Sequence, residues 1–199
     1  MKTINFEHIL SDKEISHLQK LIGKDLCGIG SDSISIEPSK PETWMFHKWI
    51  EFSNWTDNLI QRLEYSFYET YSGDDFIELR IESLTRERKA LNADISFAGN
   101  DKFTIQKIET YGYDSEYEVE NLFDNTSKVD LKRKEKYNEK MRSENVILLY
   151  STDGKRIWVE CMHPYLELIV TMDQVYIEKR INLIETEFNA KMKLKREII

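Results

Sequence analysis

The stretch VILLYSTDGKRIWVEC, residues 146–161, predicts a β-hairpin and with it a sheet-based fold. Two apolar arms flank Asp153-Gly154, a dipeptide that antiparallel strands favour as a two-residue turn. Such a turn determines which residues face one another across the two strands. On the expected core side the facing pairs are Tyr150 with Ile157, Leu148 with Val159 and Val146 with Cys161. On the other side they are Leu149 with Trp158 and Ile147 with Glu160.

Alternating apolar and polar residues predict further antiparallel strands on both sides of this hairpin. Ile34 and Ile36 alternate with polar residues and stop before Pro38, as a short edge strand does. A shift of apolar phase between Ile105 and Ile108 indicates a β-bulge. The other strand candidates are FIELRIES at 76–83, LNADISF at 91–97, KFTIQKIETY at 102–111 and YLELIVTM at 165–172.

Two helices are predicted near the N-terminus. Residues 11–23, SDKEISHLQKLIG, have a capping-box spacing between Ser11 and Glu14 and a single apolar face. Thr56 is a candidate N-cap for a second helix, because apolar residues recur at helical spacing from 59 to 71.

A third, longer helix is predicted at the C-terminus, with Asp173 as its N-cap. Its apolar stripe consists of Ile177, Ile181, Ile184, Phe188 and Met192. Before it, residues 113–145 form a charged, partly helical insertion or connection. Residues 128–142 hold seven Lys/Arg interrupted by acids at spacings that suit pairs within a solvated helix.

These elements together predict one α+β domain spanning residues 1–199. A largely antiparallel sheet follows the N-terminal helices, and the long C-terminal amphipathic helix packs on one face of the sheet. A chain of 199 residues can bury a sizeable core as one unit.

Residues 43–55, TWMFHKWIEFSNW, contain three of the four tryptophans. In an extended conformation one face carries Trp44, Phe46, Ile50 and Phe52, and the other carries Met45, His47, Trp49, Glu51 and Trp55. The first face is typical of a core. The mixed second face fits either a second buried layer or a surface that binds a partner, because aromatic side chains favour both places.

The net charge of −8 is concentrated in the first 82 residues, which hold fifteen Asp/Glu against eight Lys/Arg. A negative surface repels nucleic acid and anionic membranes and attracts basic partners. We therefore expect neither nucleic acid nor membrane as a partner. Solubility alone is the alternative reason for such a charge.

The chain has only two cysteines, Cys27 and Cys161, which indicates reduced thiols and a cytoplasmic location. Acidic residues interrupt the opening segment before any apolar run that a signal peptide requires. No stretch approaches the roughly 20 apolar residues of a membrane span.

Motifs that carry chemistry are scarce in this sequence. The four histidines are scattered singly, so we expect no zinc site and no cofactor. Cys161 and His163 are two residues apart, but a cysteine on a core strand is more typical of packing than of catalysis. We expect no catalytic residues.

Asp153 and Glu160 partly resemble the magnesium-binding carboxylates of restriction-type nucleases. That pattern requires a lysine two residues after the glutamate, where this chain has Met162. A metal-dependent nuclease is therefore kept only as a remote alternative.

The function favoured by these observations is a non-catalytic protein-interaction module. An immunity-like or antitoxin-like protein that neutralises a basic toxin or nuclease would fit, because charge steers encounter and aromatic residues anchor the complex. The predicted partner-binding residues are Trp44, His47, Trp49, Glu51, Trp55, Glu69, Asp74, Asp75, Glu78 and Glu82. The alternative is a small-molecule-binding domain with a pocket between a curved sheet and the C-terminal helix. The oligomeric state stays open.

Overall fold

Most of the described chain is β-strand, and in several strands, such as β7, apolar and polar side chains alternate. The computed structural model describes residues 2–36, 40, 42–54, 59–69, 75–85, 93–97, 102–120, 136–162, 167–182 and 191–199. These ranges contain fourteen strands, hydrogen-bonded into one sheet, and two short helices. The predicted α+β class is therefore wrong, and the fold is predominantly β.

The strands are β1 (Lys2–His8), β2 (Asp25–Ser31), β3 (Ile34–Ile36), β4 (Thr43–His47), β5 (Trp49–Asn54), β6 (Leu59–Glu69), β7 (Asp75–Thr85), β8 (Ala93–Ser96), β9 (Phe103–Glu120), β10 (Lys136–Ser143), β11 (Val146–Ser151), β12 (Arg156–Met162), β13 (Glu167–Thr171) and β14 (Lys191–Ile198). The helices are α1 (Asp12–Gln19) and α2 (Gln174–Ile181). Neither helix is long and apolar enough to cross a membrane, and only the described residues bear on this finding.

Across the sheet the strands follow the order β3-β4-β13-β12-β11-β9-β2-β5-β6-β7. The 18-residue β9 organises this arrangement, because its residues 108–111 pair with β11 on one edge and with β14 on the other. Farther along, β9 pairs with β10, which in turn pairs with β1 in parallel. β3 lies at one end of the order, which confirms the predicted edge position of residues 34–36.

Two apolar clusters lie on opposite sides of the β11–β12 hairpin. Ile147, Leu149 and Val159 belong to the main core, which extends under β5, β6 and β7. Leu148 and Trp158 belong to a smaller cluster covered by α2. Because both sides are buried, the hairpin reads as a nearly continuous apolar run rather than as a clean alternation.

The predicted β11–β12 hairpin is confirmed as an element, but its register differs by one residue from the prediction. The Ser151 N–H donates to the Lys155 carbonyl (2.9 Å), which leaves a three-residue loop that ends at Gly154 with φ of 85°. A glycine with positive φ at the third position is typical of this loop. The observed pairs are Val146 with Glu160, Ile147 with Val159, Leu148 with Trp158, Leu149 with Ile157 and Tyr150 with Arg156. The predicted pairs are therefore wrong.

The segment predicted as a second helix after Thr56 is strand β6 within the described residues 59–69. Leu63 and Tyr65 pair with Ile81 and Leu79 of β7 and are buried with them. Apolar residues in this segment satisfy both the helical and the strand period, so local pattern alone leaves the choice open. The neighbouring strand β7 favours a strand at residues 59–69, because the backbone and the apolar face of β7 need a partner.

The prediction of a long C-terminal helix is also wrong. Asp173 is the predicted N-cap and accepts hydrogen bonds from the Val175 and Tyr176 amides, but α2 ends at Ile181. Residues 183–190 lie outside the described residues, and β14 then pairs antiparallel with β9. Of the apolar residues that suggested one helical stripe, Ile177 and Ile181 belong to α2 and Met192 belongs to β14, whereas Ile184 and Phe188 lie outside the described residues.

The predicted solvated helix in the charged connection is wrong where the chain is described. β9 continues to Glu120, and β10 returns beside it from Lys136. Lys140 and Lys136 pair across the strands with Glu116 and Glu118 at 2.9 and 2.7 Å. The alternating charges thus form cross-strand pairs instead of pairs within a helix. Residues 121–135 lie outside the described residues.

Other local predictions are confirmed. Ser11 and Glu14 form the capping box of α1. Residues 75–85, 93–96 and 167–171 are strands. A register shift opposite Gln106 provides the bulge expected between Ile105 and Ile108.

Residues 43–54 of the aromatic stretch form two strands instead of one, and Trp55 lies outside the described residues. Lys48, with φ of 63°, separates β4 from β5. β4 pairs with β3 and β13, and β5 pairs with β2 and β6. The left-handed residue lets the chain leave one part of the sheet and enter another, so the two halves of the stretch have different neighbours.

Candidate functional site

The outward side of β5, β6 and β7 carries a group of charged residues around one tryptophan. Along these strands Ile50, Leu63 and Leu79 point into the main core and are fully buried. The residues between them point outward, as the two-residue period of a strand requires. Cross-strand neighbours there are Trp49 with Glu64, Glu51 with Arg62, Arg62 with Glu82, Glu64 with Arg80, and Ser66 with Glu78. We name Trp49, Arg62, Glu64, Glu78, Arg80 and Glu82 the acidic face.

Trp49 is held in place by a buried ion pair beneath it. The Arg62 guanidinium carbon lies 4.4 Å from the centre of the Trp49 ring. Its Nε and Nη2 donate to Glu51 Oε1 at 3.0 and 2.5 Å, and Glu51 is fully buried. A cation stacked on an indole contributes about 0.5–2 kcal/mol, depending on exposure. Trp49 is therefore a fixed, half-buried aromatic group on the surface.

The charges of the acidic face do not cancel. Because Glu51 neutralises Arg62, the carboxylates of Glu64, Glu78 and Glu82 on the acidic face outnumber Arg80, its one remaining cation among the described residues. Arg80 is 70% exposed and reaches Glu78 only at 3.5 Å, so this contact is weak. The face therefore carries a net negative potential.

A groove of about 530 Å³ separates the acidic face from α1 and the end of β1. Its walls add Glu14 to the three carboxylates and include two cations, Lys13 and Arg80. The remaining lining residues are His8, Ser11, His17 and Ile81. The groove is thus a negatively charged depression that extends the acidic face.

Polar side chains of β1 and α1 bridge to β7 at this groove. His8 Nε2 lies 2.5 Å from the Leu79 carbonyl, and Glu14 Oε1 accepts from the Ile81 amide at 3.3 Å. His17 Nδ1 lies 2.7 Å from Ser83 Oγ. Burial, reinforced by the nearby Lys20 and Lys13, lowers the pKa of His17 below its usual value of 6.5, although Glu14 and Glu82 oppose the shift. His17 is therefore neutral at pH 7.

The structure brings together only some of the predicted partner-binding residues. Trp49, Glu78 and Glu82 lie on the acidic face. Glu51 lies beneath that face, so its role is to position Arg62 rather than to contact a partner. Glu69 and Asp75 pair as the last residue of β6 and the first of β7, and nothing further is described of them.

The remaining predicted residues lie elsewhere. Trp44 is half-buried on β4 and packs against the main core. His47 is exposed at the end of β4, next to the bend at Lys48. Trp55 and Asp74 lie outside the described residues.

Sequence reasoning missed Glu14, Arg62, Glu64 and Arg80. Three of them lie on β6 and β7, and the assignment of residues 59–71 to a helix hid the alternation of Arg62 and Glu64 with apolar neighbours. Had the alternation in residues 59–69 been interpreted as a strand, it would have placed Arg62 and Glu64 on the same surface.

A second polar cluster, centred on Glu160, lies under α2. Glu160 accepts from Trp158 Nε1 (3.0 Å), Tyr113 Oη (2.9 Å) and Arg180 Nε (3.0 Å). Asp153, the other carboxylate of the partial nuclease pattern, is at the exposed turn with Ser151 and Lys155 as partners. Glu160 and Asp153 therefore each have side-chain partners within the protein that account for their positions.

The two cysteines are free, and Cys161 is buried in the main core. Burial, with a smaller effect of Glu160, raises the pKa of the Cys161 thiol to about 12. Such a thiol is a poor nucleophile at pH 7. In the described part of the chain, no three His, Cys, Asp or Glu side chains are placed to hold a metal ion.

Comparison of the chain with protein-family models, with curated proteins and with solved structures finds no significant match. The acidic face and its groove are therefore interpreted from their own geometry and charge.

Proposed function

We propose that this protein is a non-catalytic interaction module whose acidic face binds a basic protein partner. The observation that carries the proposal is that Glu64, Glu78 and Glu82 share one outward side of β5–β7 with the fixed ring of Trp49, with Glu64 directly opposite Trp49. Aromatic residues held by packing are typical anchors of protein interfaces. Carboxylates around such an anchor steer a positively charged surface toward it and set its orientation.

The groove beside α1 supports a partner with extended basic side chains. Its volume of about 530 Å³ and its four glutamates suit lysine or arginine side chains that reach in from a larger protein. An immunity-like or antitoxin-like protein that covers a basic toxin or nuclease is the biological role that this chemistry fits. Its place of action is the cytoplasm, where both cysteines stay reduced.

The small-molecule alternative receives no comparable support. It requires a space between the sheet and a long C-terminal helix. Tyr111, Leu148 and Trp158 occupy the position under α2 and pack against Ile177. We therefore put forward one function.

Two matched double variants test the proposal. Glu78→Gln with Glu82→Gln removes two charges from the acidic face. Glu116→Gln with Glu118→Gln removes two exposed charges from β9, so the net charge changes equally. The probe is a short peptide rich in lysine and arginine, titrated into isotope-labelled protein and followed by NMR at low and physiological salt.

We expect the peptide to shift the Trp49 indole signal and to bind the Glu78/Glu82 variant about tenfold more weakly, equivalent to about 1.4 kcal/mol. The Glu116/Glu118 variant should bind as the wild type does, and added salt should weaken all binding to the face. Equal affinities for the two variants would refute the proposal.

A further inference from the structure

The segment His8–Gln19, which we call the strap, covers the outer edge of β7. The Tyr65 amide of β6 donates to Lys48 on the β5 side, so the Tyr65–Leu79 pair does not share hydrogen bonds between β6 and β7. Odd-numbered residues of β7 therefore direct their N–H and C=O groups away from β6. Two of these groups, the Leu79 carbonyl and the Ile81 amide, are satisfied by His8 and Glu14 of the strap. Side-chain cover of this kind protects a strand edge from pairing with other chains.

A hydrogen-bonded relay fastens the C-terminal part of the strap to β6 and β7. His17 Nδ1 lies 2.7 Å from Ser83 Oγ, and Ser83 Oγ donates to Gln61 Oε1 at 2.6 Å. Which of His17 Nδ1 and Ser83 Oγ donates depends on the tautomer of the histidine, and the Lys20 ammonium beside Nδ1 can act only as a donor. The Lys20 ammonium lies 3.3 Å from both the His17 ring and Ser83.

The charges that face His17 come from both packed elements. Lys13, Glu14 and Lys20 belong to the strap and its end, and Glu82 belongs to β7. The nearest groups of β6 and β7, Gln61 and Ser83, are neutral. His8, Glu64, Glu78 and Arg80 line the groove alongside. A second positive charge next to the Lys20 ammonium, on a ring that is itself mostly buried, disfavours the docked strap.

We propose that the strap is an acid-sensitive cover: protonation of His17 loosens α1 and uncovers the backbone edge of β7. Docked His17 binds a proton less readily than free histidine, so by linkage a fall in pH favours the undocked strap. Because the pKa of docked His17 is lowered, docking of the strap is fully stabilised above the usual value of 6.5 and weakens as pH falls below it. The cover follows from contacts within the chain and does not rest on the proposed function.

Amide hydrogen exchange measured by NMR tests the cover without any partner. The reporters are the Ile15 amide, bonded to Ser11 in α1, and the Ile81 amide, bonded to Glu14. Between about pH 7.5 and about pH 5.5 we expect their protection factors, corrected for intrinsic rates, to fall at least about threefold. The Ile177 amide of α2, a helix without histidine, should keep its protection.

The variant His17→Gln keeps a side chain that can hydrogen-bond Ser83 but does not titrate, so its reporters should keep their protection over the same pH range. An equal fall in the variant, or no fall in the wild type, would overturn the proposal. Titration of the His17 ring proton in the wild-type protein provides a second measurement. A pKa below 6.5 supports the cover, and a pKa at or above 6.5 refutes it.

Discussion

The β11–β12 and β6–β7 hairpins differ both in sequence pattern and in surroundings. Both sides of β11–β12 are buried, one in the main core and the other under α2. Only one side of β6–β7 is buried, and its outward side carries the acidic face. The first hairpin therefore contributes mainly to stability. The second has one side free to bind, because its charged residues remain in water.

Tryptophan substitutions give the largest contrast between the two hairpins. Trp158 is fully buried, stacks 5.7 Å from Tyr111 and bonds Glu160. Trp158→Ala should lower the free energy of unfolding by about 3–5 kcal/mol. Trp49→Ala on the half-exposed face should cost only about 1 kcal/mol. Urea unfolding of both variants measures the difference, and equal losses would contradict the assignment of one hairpin to the core and the other to the surface.

Arginine substitutions should give the next-largest difference in the free energy of unfolding between the two hairpins. Arg180→Met leaves the buried Glu160 without its counter-charge and should cost about 2–3 kcal/mol, allowing for the 25% exposure of Arg180. Arg80→Met on the acidic face should change stability by less than about 0.5 kcal/mol, because Arg80 is largely in water. Thermal and urea unfolding check both values. A stability loss for Arg80→Met as large as that for Arg180→Met would show that the acidic face is structural.

The free energy of unfolding should also depend on pH through Glu109, which lies on β9 beside the buried β11–β12 hairpin. Burial opposes ionisation of Glu109, but hydrogen bonds from Lys107, Tyr150 and Tyr111 outweigh it and hold its pKa below 4.5. The lowered pKa means that ionised Glu109 stabilises the fold above the unfolded-state pKa. This contribution should be lost as pH falls from 4.5 through the folded-state pKa.

Urea unfolding of wild type and Glu109→Gln from neutral to acidic pH measures this contribution. The difference in stability should be greatest near neutral pH and should close in acid. Glu82→Gln serves as the control for general acid effects. A constant difference across the range would show that the contacts of Glu109 do not depend on its charge.

The smallest expected effect on stability belongs to the variant that tests the proposed binding of a basic partner. Glu78→Gln with Glu82→Gln should leave the free energy of unfolding within about 0.5 kcal/mol of wild type, because these side chains are outside the core. Differential scanning calorimetry under identical buffer conditions checks this value. A large loss would mean that weakened peptide binding by the same variant reflects damage to the fold.

Sequence patterns predicted caps and turns best, because each of these has a strong local signal. The capping box at Ser11, the N-cap at Asp173 and the glycine turn at Gly154 are all present, because each depends on residues a few positions apart. The predicted register failed at Gly154 by one residue, since a two-residue and a three-residue loop can use the same glycine. Partial recovery of the candidate site followed the same rule: Glu78 and Glu82 lie on a correctly predicted strand.

The sequence by itself determined several of the antiparallel strands, the caps and the concentration of negative charge in the first 82 residues, since these follow from neighbouring residues and composition. Only the tertiary structure decided that residues 59–69 and 191–198 are strands, that Glu51 is buried under Arg62, and that Trp49 lies among exposed carboxylates. Short apolar runs satisfy both helical and strand periods. The choice depends on whether a distant strand offers its backbone hydrogen bonds and apolar face, and local sequence does not specify that partner.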